Sequence, residues 1–123
     1  MPLFLRMLEL SQASAHYIRA ICLDEAVIGF INDTEIKEDS IELGYVIDPA
    51  HHNKGYMTQA LALAIRELFE QGFREVIAGA FSENIASIRV MEKCGMKRLS
   101  HTDTLQYRGK NHLCVFYSIK KQE

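Results

Sequence analysis

Hydrophobic and polar positions follow the period of strands over most of the chain and switch once, clearly, to the period of a helix. Residues 20–23 and 26–33 are apolar runs around Asp24-Glu25, the shape of a β-hairpin. Lys37-Glu38-Asp39-Ser40 marks a second turn and residues 41–47 a third strand. Asp48-Pro49 ends that strand, because proline cannot donate to a central ladder. A polar loop over residues 50–56 leads into a helix over about residues 58–71. There Leu61, Ala64, Ile65 and Leu68 recur at i, i+3, i+4 and i+7, with Gln59, Arg66, Glu67 and Glu70 opposite. Gly72 stands where a left-handed residue closes such a helix. Residues 73–81 are apolar on both faces, with Val76, Ala78 and Ala80 alternating with Ile77, Gly79 and Phe81. This predicts a strand buried on both sides and parallel to the strand before the helix. Ser82-Glu83-Asn84 opens a second helix over about residues 85–94, with Ile88 and Met91 inward and Gly95 closing it. Residues 96–119 read as two strands turning at Arg108-Gly109-Lys110-Asn111. The front is the least patterned part. Residues 3–8 fit a short strand, or the lead into a helix over about residues 8–19 with Ser11, Gln12 and Ser14 on its wet side.

The order hairpin, βαβ unit, helix, antiparallel pair predicts a mixed α/β fold: a mixed sheet with helices on both faces. At 123 residues, 48% hydrophobic and with two prolines, the chain reads as one compact domain over residues 1–123. Cys22, Cys94 and Cys114 are far apart and odd in number, which predicts reduced thiols and a cytoplasmic location. No apolar run approaches the roughly 18 residues of a membrane span. The N-terminus lacks a basic segment followed by a long apolar one, so no signal peptide is expected. Net charge is -2 with the signs mixed, and no basic face suited to nucleic acid shows. His51, His52, His101, His112 and the cysteines have no metal-ligand spacing, so no metal is expected. Cys94, just before the closing Gly95, reads as packed rather than nucleophilic.

These exclusions leave a domain handling a small molecule, and the βαβ unit is where to look for it, since open sheets bind ligands at the carboxyl ends of strands. Residues 41–47 deliver the chain to a loop containing Lys54-Gly55, which opens the first long helix. A helix N-terminus offers unpaired N–H groups and about half a positive charge, which suits phosphate. An ordinary exposed connection with a tolerated glycine fits the same residues. A nucleoside-triphosphate loop does not, because the Gly-x4-Gly-Lys-Ser/Thr pattern is missing.

The string Glu42-Leu43-Gly44-Tyr45-Val46-Ile47-Asp48-Pro49, then His52-Asn53-Lys54-Gly55-Tyr56-Met57-Thr58-Gln59-Ala60-Leu61, resembles the acyl-CoA-binding core of the GNAT N-acetyltransferase superfamily. Its look is that of the branch with the Rim-type ribosomal-protein N-terminal acetyltransferases. A second block, from Glu83-Asn84 through Ser87 to Lys93-Cys94-Gly95-Met96, is similar to that branch's Asn-x-x-Ser-x-x-x-x-x-Lys-x-Gly pattern. Tyr107-Arg108-Gly109-Lys110 before an aromatic strand is also characteristic. The resemblance covers residue 20 to the C-terminus. It implies a mostly antiparallel sheet with a central parallel pair, and a protein that takes acetyl-CoA as co-substrate. It further implies that the strand ending at Val46-Ile47 splays from its neighbour and pairs with the pantetheine arm. Backbone amides over His52, Asn53, Lys54, Gly55, Tyr56 and Met57, at the helix that Thr58 continues, would hold the pyrophosphate. Asn84 would bond the pantetheine arm and Lys93 an adenine-side phosphate. Three positions depart from the pattern: His52 stands where the family has Gln or Arg, Met57 where it has Gly or Ala, and Met91 where many members carry a proton-donating Tyr.

The chemistry implied is aminolysis of a thioester. The attacking amine must lose a proton, since an alkylammonium has a pKa near 10. Glu42 is the candidate base, or else a solvated strand carboxylate. Ser87 is the candidate proton donor, or else a helix-cap hydrogen bond. The expected activity is transfer of acetyl from acetyl-CoA to a small-molecule or peptide primary amine. The other expectation is an acyl-CoA-binding module without turnover. Family members place a first strand and two helices before the residue-20 hairpin, where this chain has nineteen residues. The front end is therefore a compressed version or lacks the strand, and a missing strand would leave an edge that a homodimer covers.

Overall fold

The structure, a computed structural model, describes residues 5–9 and 16–122. Seven strands form one sheet in the order β1-β2-β3-β4-β5-β7-β6: β1 (Leu5–Glu9), β2 (Ile18–Leu23), β3 (Ala26–Lys37), β4 (Ser40–Ile47), β5 (Glu75–Phe81), β6 (Lys97–Tyr107) and β7 (Lys110–Lys120). Helix α1 (Tyr56–Glu70) joins β4 to β5 and helix α2 (Ile85–Lys93) joins β5 to β6. All neighbours are antiparallel except β4 and β5. The expected mixed, mostly antiparallel sheet with a central parallel pair is present.

Both helices end by the same device. At α1, Gly72 adopts φ 109°, and the N–H of Phe73 reaches back to the Leu68 carbonyl at 3.1 Å. At α2, Gly95 adopts φ 85° and the Met96 N–H reaches Met91 at 3.1 Å. Each glycine takes a left-handed conformation that satisfies orphan carbonyls of the last turn. The β6–β7 hairpin closes on Arg108 and Gly109, both at positive φ, and Tyr107 faces Lys110 across it.

The core lies between the sheet and the two helices. Ile41 and Leu43 pair with Val76 and Ala78, and Ala78 pairs with Tyr117, so these side chains share a face. Tyr45 and its partner Ile31 continue it. Helix α1 lays Met57, Ala60, Leu61, Ala64, Ile65 and Leu68 on this face, all buried. Each large aliphatic side chain so buried contributes about 1.5–3 kcal/mol. Arg19, opposite Ile31 and almost fully buried, donates from Nε to Glu67 of α1 at 2.9 Å and stacks over Tyr17. Helix α2 packs on the same face: Met91 is fully buried, and Glu92 accepts from the Tyr117 hydroxyl at 3.2 Å.

Two expectations are corrected here. Both described helices lie on one face, so helices on both faces are not found among the described residues. In β5, accordingly, Val76 and Ala78 are buried while Ile77, Gly79 and Phe81 are only partly covered. At the front, Leu8 and Glu9 belong to β1 and Ile18 and Arg19 to β2, which excludes a helix over residues 8–19 at both its ends. The middle of that stretch, with Ser11, Gln12 and Ser14, lies outside the described residues. A first strand is present, so the missing-edge reason for a homodimer falls away.

Burial raises the pKa of several acids in this core. It pushes Tyr45 to about 12 and Cys94 to about 11, and it also raises Tyr17, Tyr117 and Cys114. The folded chain thus holds these protons above the pH at which unfolded thiols (about 8.5) and phenols (about 10) release theirs. Where the native state binds more protons, stability falls as pH rises. Urea denaturation is expected to give a constant midpoint between about pH 7 and 8 and a falling one through about pH 9–12. A midpoint that holds to about pH 11 would contradict this packing.

Candidate functional site

The parallel pairing of β4 and β5 is short. It runs for four rungs, from Ser40–Glu75 to Leu43–Ala78, and then stops. Beyond it β4 stays with β3 as far as Ile47–Gly29, and β5 stays with β7 as far as Phe81–Cys114. The two strands part, leaving one backbone edge of residues 44–47 without a strand partner.

Helix α1 begins at the mouth of this parting. Its N-cap is Gly55 at φ 81°, and no side chain caps it. The first N–H to find a helical carbonyl is that of Gln59, which bonds Gly55 at 3.1 Å. The N–H groups of Asn53, Lys54, Gly55, Tyr56, Met57 and Thr58 have no backbone acceptor among the described residues. Helix α2 is finished differently: the Asn84 side-chain oxygen accepts from the Ser87 N–H at 3.2 Å. The amide NH2 of Asn84 has no hydrogen-bond partner among the described residues.

Between these elements is a cleft of about 640 Å³. Val46, Ile47, His52, Asn53, Gly55, Tyr56, Met57, Thr58, Asn84, Ser87 and Lys93, all singled out from the sequence, line it. Lys54 is exposed and outside the lining. His51, one of the loop histidines, lines it as well, and so do Tyr45, Ile85, Arg89 and Val90, to which sequence reasoning gave no binding role. Arg89 was findable: it stands four residues before Lys93 on α2, so the two cations share a helix side. No Asp or Glu lines the cleft, and neither cation has an ion-pair partner among the described residues. Free N–H groups, two cations and no carboxylate make a site for an elongated anion with an apolar portion.

The positions that departed from the family pattern have definite places. Met57 is 6% exposed, with its side chain in the core, so its bulk is spent there while its N–H stays at the helix start. His52 uses Nε2 on the Ile47 carbonyl at 3.0 Å, fixing the end of β4. Met91 is wholly in the core and offers no proton. The Ser87 hydroxyl donates to the Tyr45 phenol oxygen at 2.8 Å, and that phenol donates to the Ser87 carbonyl at 3.1 Å. This pair ties β4 to α2 across the parting. Cys94 donates its thiol to the Thr58 carbonyl at 3.4 Å, and its raised pKa keeps it protonated.

Glu42 is not in this cleft. It points to the helix-free face of the sheet, where its carboxylate accepts from Thr34 at 2.7 Å beside a smaller hollow. Among the described residues no grouping of three or more His, Cys, Asp or Glu suits a metal ion, and no helix is long and apolar enough to cross a membrane.

This geometry defines the class: a mixed sheet parted at its one parallel pair, with an uncapped helix start at the opening. The family model described as the Acetyltransferase (GNAT) domain matches residues 3–97, and the chain belongs to that family. It is 33% identical over 79 residues to the "Probable N-acetyltransferase YjcK" of Bacillus subtilis (strain 168), covering 61% of this chain and 44% of that protein. The chain thus spans under half the length of this curated relative. Its fold is similar to that of yncA of Salmonella typhimurium, solved with its cofactor acetyl-CoA (TM-score 0.77, 21% identity, 89% of this chain and 66% of that one). It is also similar to the ribosomal-protein-S5-alanine acetyltransferase of Vibrio fischeri (TM-score 0.78, 19% identity, 85% and 61%).

Two glycines at the mouth should respond differently to alanine. At Gly55 an added Cβ meets nothing within 4 Å, so only its φ of 81° resists substitution, at a cost of about 1 kcal/mol. At Gly29 the Cβ would stand 2.3 Å from the Val46 carbonyl oxygen, inside the β3–β4 ladder. Denaturation should find Gly29→Ala destabilised by at least about 3 kcal/mol, well beyond Gly55→Ala. Equal losses would mean that β3 and β4 are not held together up to the mouth.

Proposed function

We propose that the chain binds acetyl-CoA in the parting of β4 and β5 and transfers its acetyl group to a primary amine by direct attack on the thioester. The observation that carries this reading is the row of unpaired N–H groups at residues 53–58 beside the unpaired edge of β4, in a cleft without carboxylates. The pyrophosphate takes the N–H groups at the start of α1, where the helix dipole favours negative charge. Lys54 adds positive charge outside that turn, Lys93 meets an adenine-side phosphate and Arg89 stands beside it. The pantetheine arm pairs with the backbone edge at Val46-Ile47 and takes the Asn84 NH2.

The acyl carbonyl then lies in the parting, where backbone N–H groups stabilise the oxyanion. The amine nitrogen forms its bond to the carbonyl carbon as the carbon–sulfur bond breaks. One proton leaves the amine for Glu42, directly or through a water, and one reaches the departing thiolate. That second proton comes from a cleft water held by the Ser87 hydroxyl, whose own hydrogen stays on Tyr45, a phenol kept neutral by its raised pKa, and the proton taken up by Glu42 returns to solvent to close the balance. A thiolate of ordinary pKa near 8.5 needs only modest help to leave. No metal and no covalent enzyme intermediate enters. The unpaired thiols Cys22, Cys94 and Cys114 suit a reducing, cytoplasmic compartment.

Met91, a core residue without a proton to give, favours a second reading, an acyl-CoA-binding module that does not turn over. Isothermal titration with acetyl-CoA and with desulfo-CoA, followed by thiol release with a panel of amines, separates the two. Micromolar binding of both ligands with amine-dependent thiol release is expected, and Ser87→Ala should slow release about tenfold or more without weakening binding. Binding without release for any amine supports the silent module. No binding at millimolar ligand overturns both readings.

A further inference from the structure

On the helix-free face, behind the paired rungs that lead up to the parting, is a hollow of about 220 Å³. Glu42 and Ile77 line it and form the rung just before the last one of the parallel pair. The next positions on this face are Gly44 on β4 and Gly79 on β5, so what stands between hollow and parting is the Thr34 methyl, 3.2 Å from a Cβ at Gly44, and the side chain over Gly79. The Phe116 ring lies against Gly79, where a Cβ would come within 2.8 Å of it.

The hollow has a charged end and an apolar wall. A β-bulge between Asp33 and Glu35 turns the Thr34 hydroxyl onto one oxygen of Glu42 at 2.7 Å. The other carboxylate oxygen has no partner among the described residues. The same bulge sets Glu35 directly opposite Glu42, a like-charge pair that destabilises the ladder until a cation offsets it. Lys37, two residues along β3, also lines the hollow without an ion pair to either carboxylate among the described residues, so the lining sums to a single negative charge and suits one added positive charge. Ile77, Leu99 and Phe116 form the wall, and His101 stacks on Phe116 with centroids 5.1 Å apart.

We propose that this hollow selects the acceptor, and that the acceptor is a monocationic primary amine on an unbranched apolar chain, with Glu42 receiving the ammonium and Glu35 setting the charge preference. This rests on the proposed acetyl-CoA reading of the cleft behind it. At roughly 30 Å³ per heavy atom, the hollow takes a ligand of about seven heavy atoms. An acceptor carrying its own carboxylate is disfavoured, because that group would face Glu35 and Glu42.

The test uses the full chain saturated with CoA at about pH 8, where an ordinary imidazole is neutral. Hexylamine is titrated while the amide resonances of Ile77, Leu99 and Phe116 are followed; hexanol, without the charge, and 4-aminobutyrate, of equal heavy-atom count with an added carboxylate, are the comparisons. Hexylamine should shift these three and bind about tenfold or more tightly than either comparison. Glu42→Gln should erase the preference over hexanol while CoA still binds, and Glu35→Gln should weaken hexylamine several-fold. Equal binding of the three ligands, shifts elsewhere, or a preference that survives both variants overturns the proposal while leaving the cofactor site standing. Failure of CoA itself to bind overturns the cofactor reading and this one together.

Discussion

Everything at the site follows from the fact that β4 cannot keep both neighbours along its whole length. It remains in register with β3 to Ile47, while β5 remains with β7 to Phe81, and the twist of the sheet carries these two halves apart. Only four rungs of parallel pairing survive, ending at Leu43–Ala78. Past that point a backbone edge of β4 is left without a strand, which sheets normally avoid. The crossover helix α1 must begin there, because a right-handed βαβ connection leaves from the carboxyl end of the first strand. One geometric constraint therefore sets an unpaired strand edge beside an uncapped helix start.

The electrostatics reinforce the geometry. Asn84 caps α2 with its own side chain, whereas Gly55 at the start of α1 has none to offer. The partial positive charge of that first turn is left to whatever enters the cleft, and Arg89 and Lys93 add to it from the facing helix. On the opposite face the carboxylates of Glu35 and Glu42 dominate. The parting opens on the positive cleft, and the negative hollow lies behind the paired rungs next to it, an arrangement that suits a phosphate-bearing donor on one face and an ammonium on the other.

Much of this was legible in the sequence. The spacing of Leu61, Ala64, Ile65 and Leu68 located α1 and its buried face, Gly72 and Gly95 marked both helix ends, and the apolar run after α1 announced the parallel pair. The two motif blocks gathered eleven cleft residues that no periodicity would have grouped. What stayed hidden depends on long-range packing. Helix α2 has nine residues and one fully buried position, Met91, too little pattern to say which face of the sheet it covers. The front strand β1 is short and half exposed, so its residues fit a helix equally well. The bulge that sets Glu35 against Glu42 arises from a register shift that no local signal announces, and the Tyr45–Ser87 bond joins residues 42 positions apart.

The central claim is that acetyl-CoA occupies the gap between β4 and β5 and completes the β4 edge. Amide hydrogen exchange with and without acetyl-CoA tests it most directly, since it reads individual backbone N–H groups. The account predicts slowed exchange at the open edge of residues 44–47 and across residues 53–58, with β1 and the outer part of β6 unchanged. Protection confined to other strands, or none at saturating acetyl-CoA, would contradict it.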